Sequence, residues 1–181
     1  AGRFQSRVPR TTATTCCTRC GTSSAASRVR PISRRTSGIS RTLDARAIVD
    51  AGPLVALMNR RDVLHEWAVG VFGRVRGPYL TTEGNVCEIC HLLEREQTQG
   101  SLCFYELLRT KAVMVVSFAA RMDEVRAHVA GYRDRTVDFA DACLLALSDE
   151  NPRLPVITTD VADFDVYLRH RADRGVVMPG R

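Results

Sequence analysis

A short run of apolar residues, Ala47, Ile48 and Val49, leads straight into Asp50. Ala51, Gly52 and Pro53 then separate it from a second apolar run, Leu54 to Met58. Strands covered on both faces carry continuous apolar runs, whereas half-covered strands alternate. The segment therefore predicts a buried parallel strand, a tight turn and a helix. In open parallel sheets, ligands sit just beyond the carboxyl ends of the strands, and Asp50 falls at such an end. A carboxylate there has two readings, the cap of the following helix or a ligand-binding group. This stretch alone leaves both open.

The same logic runs down the chain. Asp62 opens an amphipathic run with Val63, Leu64, Trp67, Val71, Phe72 and Val75 at helical spacing, and Gly77-Pro78 stops it. Tyr79–Thr82 reads as a strand and Glu83–Gln97 as a helix with Val86, Ile89, Cys90 and Leu93 on one stripe. Glu88 lies off that stripe but shares a face with Leu92, so partial burial is expected, and a buried lone carboxylate is costly unless paired or metal-bound. A helix over Ser101–Lys111 precedes a strand over Ala112–Val116. A helix over Phe118–Tyr132 follows, with Phe118, Met122, Val125 and Val129 on one side. A further helix starts near Asp138, with Phe139, Cys143 and Ala146 on its apolar stripe. Pro155–Thr159 is a fourth strand ending on Asp160, Val166–Arg169 a short helix, and Val176–Met178 a fifth strand. Alternation of strands with helices predicts an α/β fold: three layers, α/β/α, around a mostly parallel five-stranded sheet.

Charge divides the chain in two. Residues 1–46 hold ten arginines against the single acid Asp44, a net +9, while the remainder holds 16 basic and 19 acidic residues, a net −3. The overall +6 thus belongs to the leader and not to the body. Residues 1–44 are rich in Arg, Ser and Thr and poor in large apolar residues, so they are expected to be a disordered extension before a domain spanning 45–181. The composition also fits an organelle transit peptide, and it lacks the apolar core of a secretory signal. Nonspecific attraction of the arginines to nucleic acid needs no fold. Cys16, Cys17 and Cys20 form at most half a zinc site. Cys87-x-x-Cys90-His91 spells a c-type haem attachment motif, but it lies inside a periodic helix and no export signal precedes it. A Cys87–Cys90 disulfide is not expected in a cytoplasmic chain, and Cys103 and Cys143 read as small core residues. No apolar run approaches the ~20 residues of a membrane span.

Five acids remain. Asp50 and Asp160 end two strands that, in a parallel sheet, point to one edge. Asp141 opens the helix before the second of these strands, and Glu88 sits on the helix after Tyr79–Thr82. Asp138, three residues before Asp141, is a natural N-cap with an acid behind it, and it reads equally as cap or as ligand. These carboxylates can converge on one cleft. Two like charges about 4 Å apart repel by roughly 4 kcal/mol at an effective dielectric near 20. Such a cluster sheds protons or binds a divalent cation, and a donor set made of oxygens favours Mg²⁺ or Mn²⁺. A water on that cation, attacking phosphorus in line, points to metal-assisted hydrolysis of phosphodiesters.

From about Arg46 to Met178 the chain resembles the PIN domain, and within it the VapC-type toxin ribonucleases. The resemblance rests on Ile48-Val49-Asp50 through Leu57, on Thr81-Thr82 with Val86 and Glu88, on Asp138-Phe139-Ala140-Asp141-Ala142, and on Thr158-Thr159-Asp160 with Phe164. It implies a cytoplasmic Mg²⁺- or Mn²⁺-dependent endoribonuclease, the toxin of a toxin–antitoxin pair, usually a homodimer and inhibited by a small antitoxin protein. It maps the acidic quartet onto Asp50, Glu88, Asp141 and Asp160, with Asp138 as an auxiliary acid and Thr159 supporting Asp160. Members of that family begin a few residues before the first strand. Residues 1–44 therefore stand outside the pattern and read as an extension or as a translation start set too far upstream. Two other classes fit parts of the pattern. One is a catalytically silent PIN-fold module that binds RNA or protein. The other is a hydrolase of small phosphate esters, which usually carries D-x-D after its first strand, where Gly52 stands here.

Overall fold

The computed structural model describes residues 44–95, 100–132, 137–167 and 175–180. The Arg-rich leader and its three cysteines lie outside the described residues, as do Gln97 and Arg169, the expected ends of two helices. All the described elements belong to one unit, Thr42–Arg181.

Five strands form the sheet: β1 (Ala47–Val49), β2 (Tyr79–Thr82), β3 (Val113–Val116), β4 (Val156–Ile157) and β5 (Val176–Val177). Their order is β3-β2-β1-β4-β5, and every neighbouring pair is parallel. Ile48 is registered against Leu80 on one side and Val156 on the other. The chain leaves β1 toward β2 and returns to its other flank at β4, so a crevice opens beyond the carboxyl ends of β1 and β4.

Strand side chains alternate between the two faces, and each face has its own core. Ile48, Leu80 and Val156 pack with Phe118 and with helices α5 (Met122–Gly131), α6 (Phe139–Glu150) and α7 (Val161–Tyr167). Ala47, Val49, Tyr79 and Ile157 pack with α1 (Ala51–Met58), α2 (His65–Arg74), α3 (Glu83–Arg95) and α4 (Gly100–Arg109). The three-layer parallel α/β fold expected from the alternation is therefore the fold observed. Residues 142–148 of α6 are buried without a break, as for a helix enclosed on most sides.

Several details differ from expectation. The second helix starts at His65 because Asp62 is spent on the turn before it. Its Oδ1 accepts the Leu64 N–H at 2.8 Å, and its carbonyl accepts that of His65. Val63 is left 96% exposed. Phe118 belongs to the loop after β3 and not to α5. It is fully buried, with the Arg121 guanidinium 4.3 Å from its ring centroid. Of the remaining α5 stripe only Val125 is buried, and Met122 and Val129 face solvent. The last helix begins at Val161, five residues earlier than expected, because the Asp160 carboxylate accepts the Asp163 N–H at 2.9 Å. Phe139 and Cys103 are exposed, against their expected place in the core. Cys87, Cys90, Cys103 and Cys143 are free thiols, Cys143 alone of these being buried. Among the described residues no helix is long and apolar enough to cross a membrane.

Candidate active site

Asp50 is both a cap and the centre of a polar cluster. Its extended backbone (φ −75°, ψ 170°) ends β1, and its N–H donates to Ile157 O at 3.0 Å. Its Oδ1 accepts from the Ala51 N–H at 2.7 Å, opening α1, and from Asn85 Nδ2 at 3.2 Å. Its Oδ2 accepts from the Thr158 hydroxyl at 2.7 Å. Thr82 Oγ1 in turn donates to Asn85 Oδ1 at 3.3 Å. The Thr158 oxygen also accepts the Asp160 N–H at 3.0 Å. The ends of β2, β1 and β4 are thus tied together through one carboxylate. Burial drives the Asp50 pKa up from its ordinary value. The bonds from Thr158 and Ala51 oppose this, and the charges of Asp160 and Asp138 reinforce it.

Thr158, Asn85 and Thr82 are the residues that sequence reasoning missed. The support expected of Thr159 comes from its neighbour. Thr159 itself turns toward α1, where its Oγ1 stands 1.9 Å from the position a Cβ on Gly52 would take. The small residue two places after Asp50 is what lets α1 pass this close to the end of β4.

The other acids gather around Asp50 from both faces of the sheet. Asp138 is exposed and caps α6, its Oδ1 accepting the Asp141 N–H at 2.9 Å. Asp141, half-buried in the first turn of α6, is pushed up to about 7, first by burial and then by Asp138, Asp50, Asp160 and Asp163. Glu88 is exposed at the rim, against the partial burial expected of it. Its pKa is nonetheless raised, by the protein beside it and by the charges of Asp50 and Asp138. Asp160 is exposed on the turn into α7. All five acids singled out from the sequence are therefore electrostatic neighbours, and Asp163 joins them as a sixth. It had one signal, its place three residues beyond Asp160.

Two close approaches hold this arrangement. Gly84, on the opening turn of α3, lies against α6, where an added Cβ would come within 2.9 Å of Ala140 Cα. Glu83 fastens the loop after β3, its Oε1 accepting from Ser117 Oγ at 3.0 Å and from the Phe118 N–H at 2.5 Å. Part-burial opposes ionisation of Glu83, but these bonds outweigh it and lower its pKa.

Among the described residues no group of three His, Cys, Asp or Glu side chains is arranged to hold a metal ion as it stands. The donor chemistry still fits a hard divalent cation. The charges that raise Asp50, Glu88 and Asp141 are all carboxylates, and oxygen donors of this kind suit Mg²⁺ or Mn²⁺. Glu88 and Asp160 are exposed.

No family model and no curated protein matches the chain. Among solved structures it is similar to VapC20 of Mycobacterium tuberculosis, described as a sarcin–ricin-loop-cleaving toxin. The two share 20% sequence identity and superpose with a TM-score of 0.59, over 66% of this chain and 93% of that one. At this identity the likeness shows a shared fold, the PIN fold that the sequence motifs resemble.

Proposed function

We propose that this chain is a metal-dependent endoribonuclease that hydrolyses RNA phosphodiester bonds. The observation that carries the reading is the gathering of carboxylates from α3, the start of α6 and the turn into α7 around Asp50 at the end of β1, with Asp141 pushed up to about 7. Asp50, Glu88, Asp141 and Asp160 would hold Mg²⁺ or Mn²⁺, with Asp138 as an auxiliary. When bound, the cation supplies an activated water and neutralises charge on the phosphate.

The chain's own groups do the positioning. Thr158 and Asn85 fix both oxygens of Asp50, so its free lone pairs have one orientation. Asp138 orders the opening turn of α6 and sets the position of Asp141. With its pKa pushed up to about 7, Asp141 would give up a proton if a cation filled the site, linking occupancy to proton release. On this reading the partners are RNA and a small inhibitory antitoxin, the chain forms a homodimer, and it acts in the cytoplasm as a toxin.

The test is to incubate the full chain with total RNA, with EDTA or with Mn²⁺, beside Asp50→Ala and Asp141→Ala. Cleavage is expected with Mn²⁺ alone and is lost in both variants. Cleavage that survives both substitutions excludes this site. RNA binding without cleavage, and without calorimetric Mn²⁺ binding, favours a silent PIN-fold module.

A further inference from the structure

We infer that the cavity beside the acids is a nucleotide subsite, with Arg95 holding the phosphate next to the one that is cut. The inference rests on the nuclease reading above. A cavity of about 340 Å³ opens at Gly52 and Thr159 and is walled by Val55, Leu64, Leu92 and Arg95. None of the clustered acids lines the cavity, but Gly52 and Thr159 lie within two residues of Asp50 and Asp160 along the chain.

The α3 residues on this side make a graded strip. Glu88, Leu92 and Arg95 are spaced i, i+4, i+7 and share one helix face. At 1.5 Å of rise per residue, Arg95 stands about 10 Å along the axis from Glu88. The strip thus runs from carboxylate through an apolar wall to a guanidinium. A polyanion laid along it would meet a filled acidic site at one phosphate, apolar side chains at its base, and a planar fork of donors at a neighbouring phosphate. Arginine matches phosphate oxygens two at a time. The aliphatic wall would cover the apolar face of an unpaired base, and arginine planes stack on such bases. Asp62 also lines the cavity, but its Oδ1 is engaged by the Leu64 N–H at 2.8 Å. The volume lies in the range of small-ligand pockets, ~300–1,000 Å³.

The test measures binding of a labelled single-stranded tetraribonucleotide to the full chain by fluorescence anisotropy, in EDTA, across a range of salt. Arg95→Gln should weaken Kd about tenfold, as expected for loss of a charge-assisted contact. The slope of log K against log salt should flatten by about 0.7, one phosphate contact on a single strand. Arg95→Lys keeps the slope and recovers part of the affinity. Arg109→Gln, an exposed arginine paired with Glu106 on α4, leaves both unchanged. The leader arginines contribute equally to every variant and drop out of the comparison. With Mn²⁺, Arg95→Gln should raise KM about tenfold and leave kcat within about twofold, the pattern of a contact made equally in ground and transition states.

Equal Kd and slope for wild type and Arg95→Gln overturn the subsite, as does a wild type that binds no oligonucleotide. RNA cleavage by the wild type with an unmoved Kd in Arg95→Gln overturns the subsite and leaves the nuclease reading standing. Arg95-dependent binding with no cleavage by the wild type keeps the nucleotide site and removes the hydrolytic reading.

Discussion

One hydroxyl, that of Thr158, both fixes Asp50 and receives the Asp160 N–H. Thr158→Val keeps the shape and removes both bonds. A buried carboxylate oxygen then loses a charge-assisted partner, a cost of about 1.5–3 kcal/mol. The expected result is a lower urea midpoint, with Thr158→Ser recovering most of it. Asp141 makes a prediction in pH. Its pKa rises from 3.8 to about 7 on folding, so the native state holds the proton more tightly than the unfolded chain. The stabilisation is full below about pH 4 and is lost as pH rises through about 7. Thermal midpoints in EDTA should therefore fall between about pH 4 and 7, and Asp141→Asn should flatten the profile. Asp141 is only half-buried, so solvent screening reduces the size of the effect but not its sign. The acids were legible in the sequence because strand ends and helix starts are read from apolar runs. Thr158 was not, because in Thr158-Thr159-Asp160 nothing in the residue types says which threonine turns inward. The β4 ladder stops at Ile157, and the tertiary approach of α1 decides the rest.

At the level of elements, the contact between α3 and α6 sets how the acids of the two faces meet. Gly84→Ala places a Cβ 2.9 Å from Ala140 Cα and 3.1 Å from its Cβ, and a backbone atom cannot rotate aside. A gain of up to ~1 kcal/mol in helix propensity is set against an overpacking cost of about 1–3 kcal/mol. The variant should show a net loss in urea unfolding. It should also bind Mn²⁺ more weakly by calorimetry, because Glu88 and Asp141 ride on the separated helices. The starts of α2, α5 and α7 were misjudged for a related reason. Periodicity assigns residues to a face but does not mark where hydrogen bonding begins. Asp62 and Asp160, read as an opener and a strand end, each capture a nearby N–H and reset the boundary. A stripe also does not say whether anything covers it, and so Met122, Val129, Phe139 and Cys103 were expected inside and lie outside.

For the whole molecule, the proposed metal site sets charge repulsion in the metal-free chain against cation binding. Glu88 is exposed, and the protein packed beside it, then the charges of Asp50 and Asp138, raise its pKa. Glu88→Gln should therefore raise the thermal midpoint of the metal-free chain at pH 8. The same change should shrink the stabilisation by Mn²⁺, which for the wild type is about 2.7 kcal/mol at 100 times Kd. A fall in the metal-free midpoint would mean that Glu88 holds the empty site together more than its charge pushes it apart. The alternation of strands and helices made the layers legible, and two strands ending on acids indicated a common edge. Which strands flank β1 was not written in any one segment, since that order arises only when both cores close.

That order has a consequence for how the protein is made. Thr158 and Asp50 are 108 positions apart, and Ile48 waits for Val156 to complete its second flank. At about 5–20 residues per second of synthesis, a growing polypeptide spends roughly 5–20 s with its first carboxylate already translated and its last not yet made. A chain released early, before Val156, has no way to complete the cleft. A product proposed to cut RNA would thus lack its full set of acids until the segment carrying β4 and Asp160 has been made.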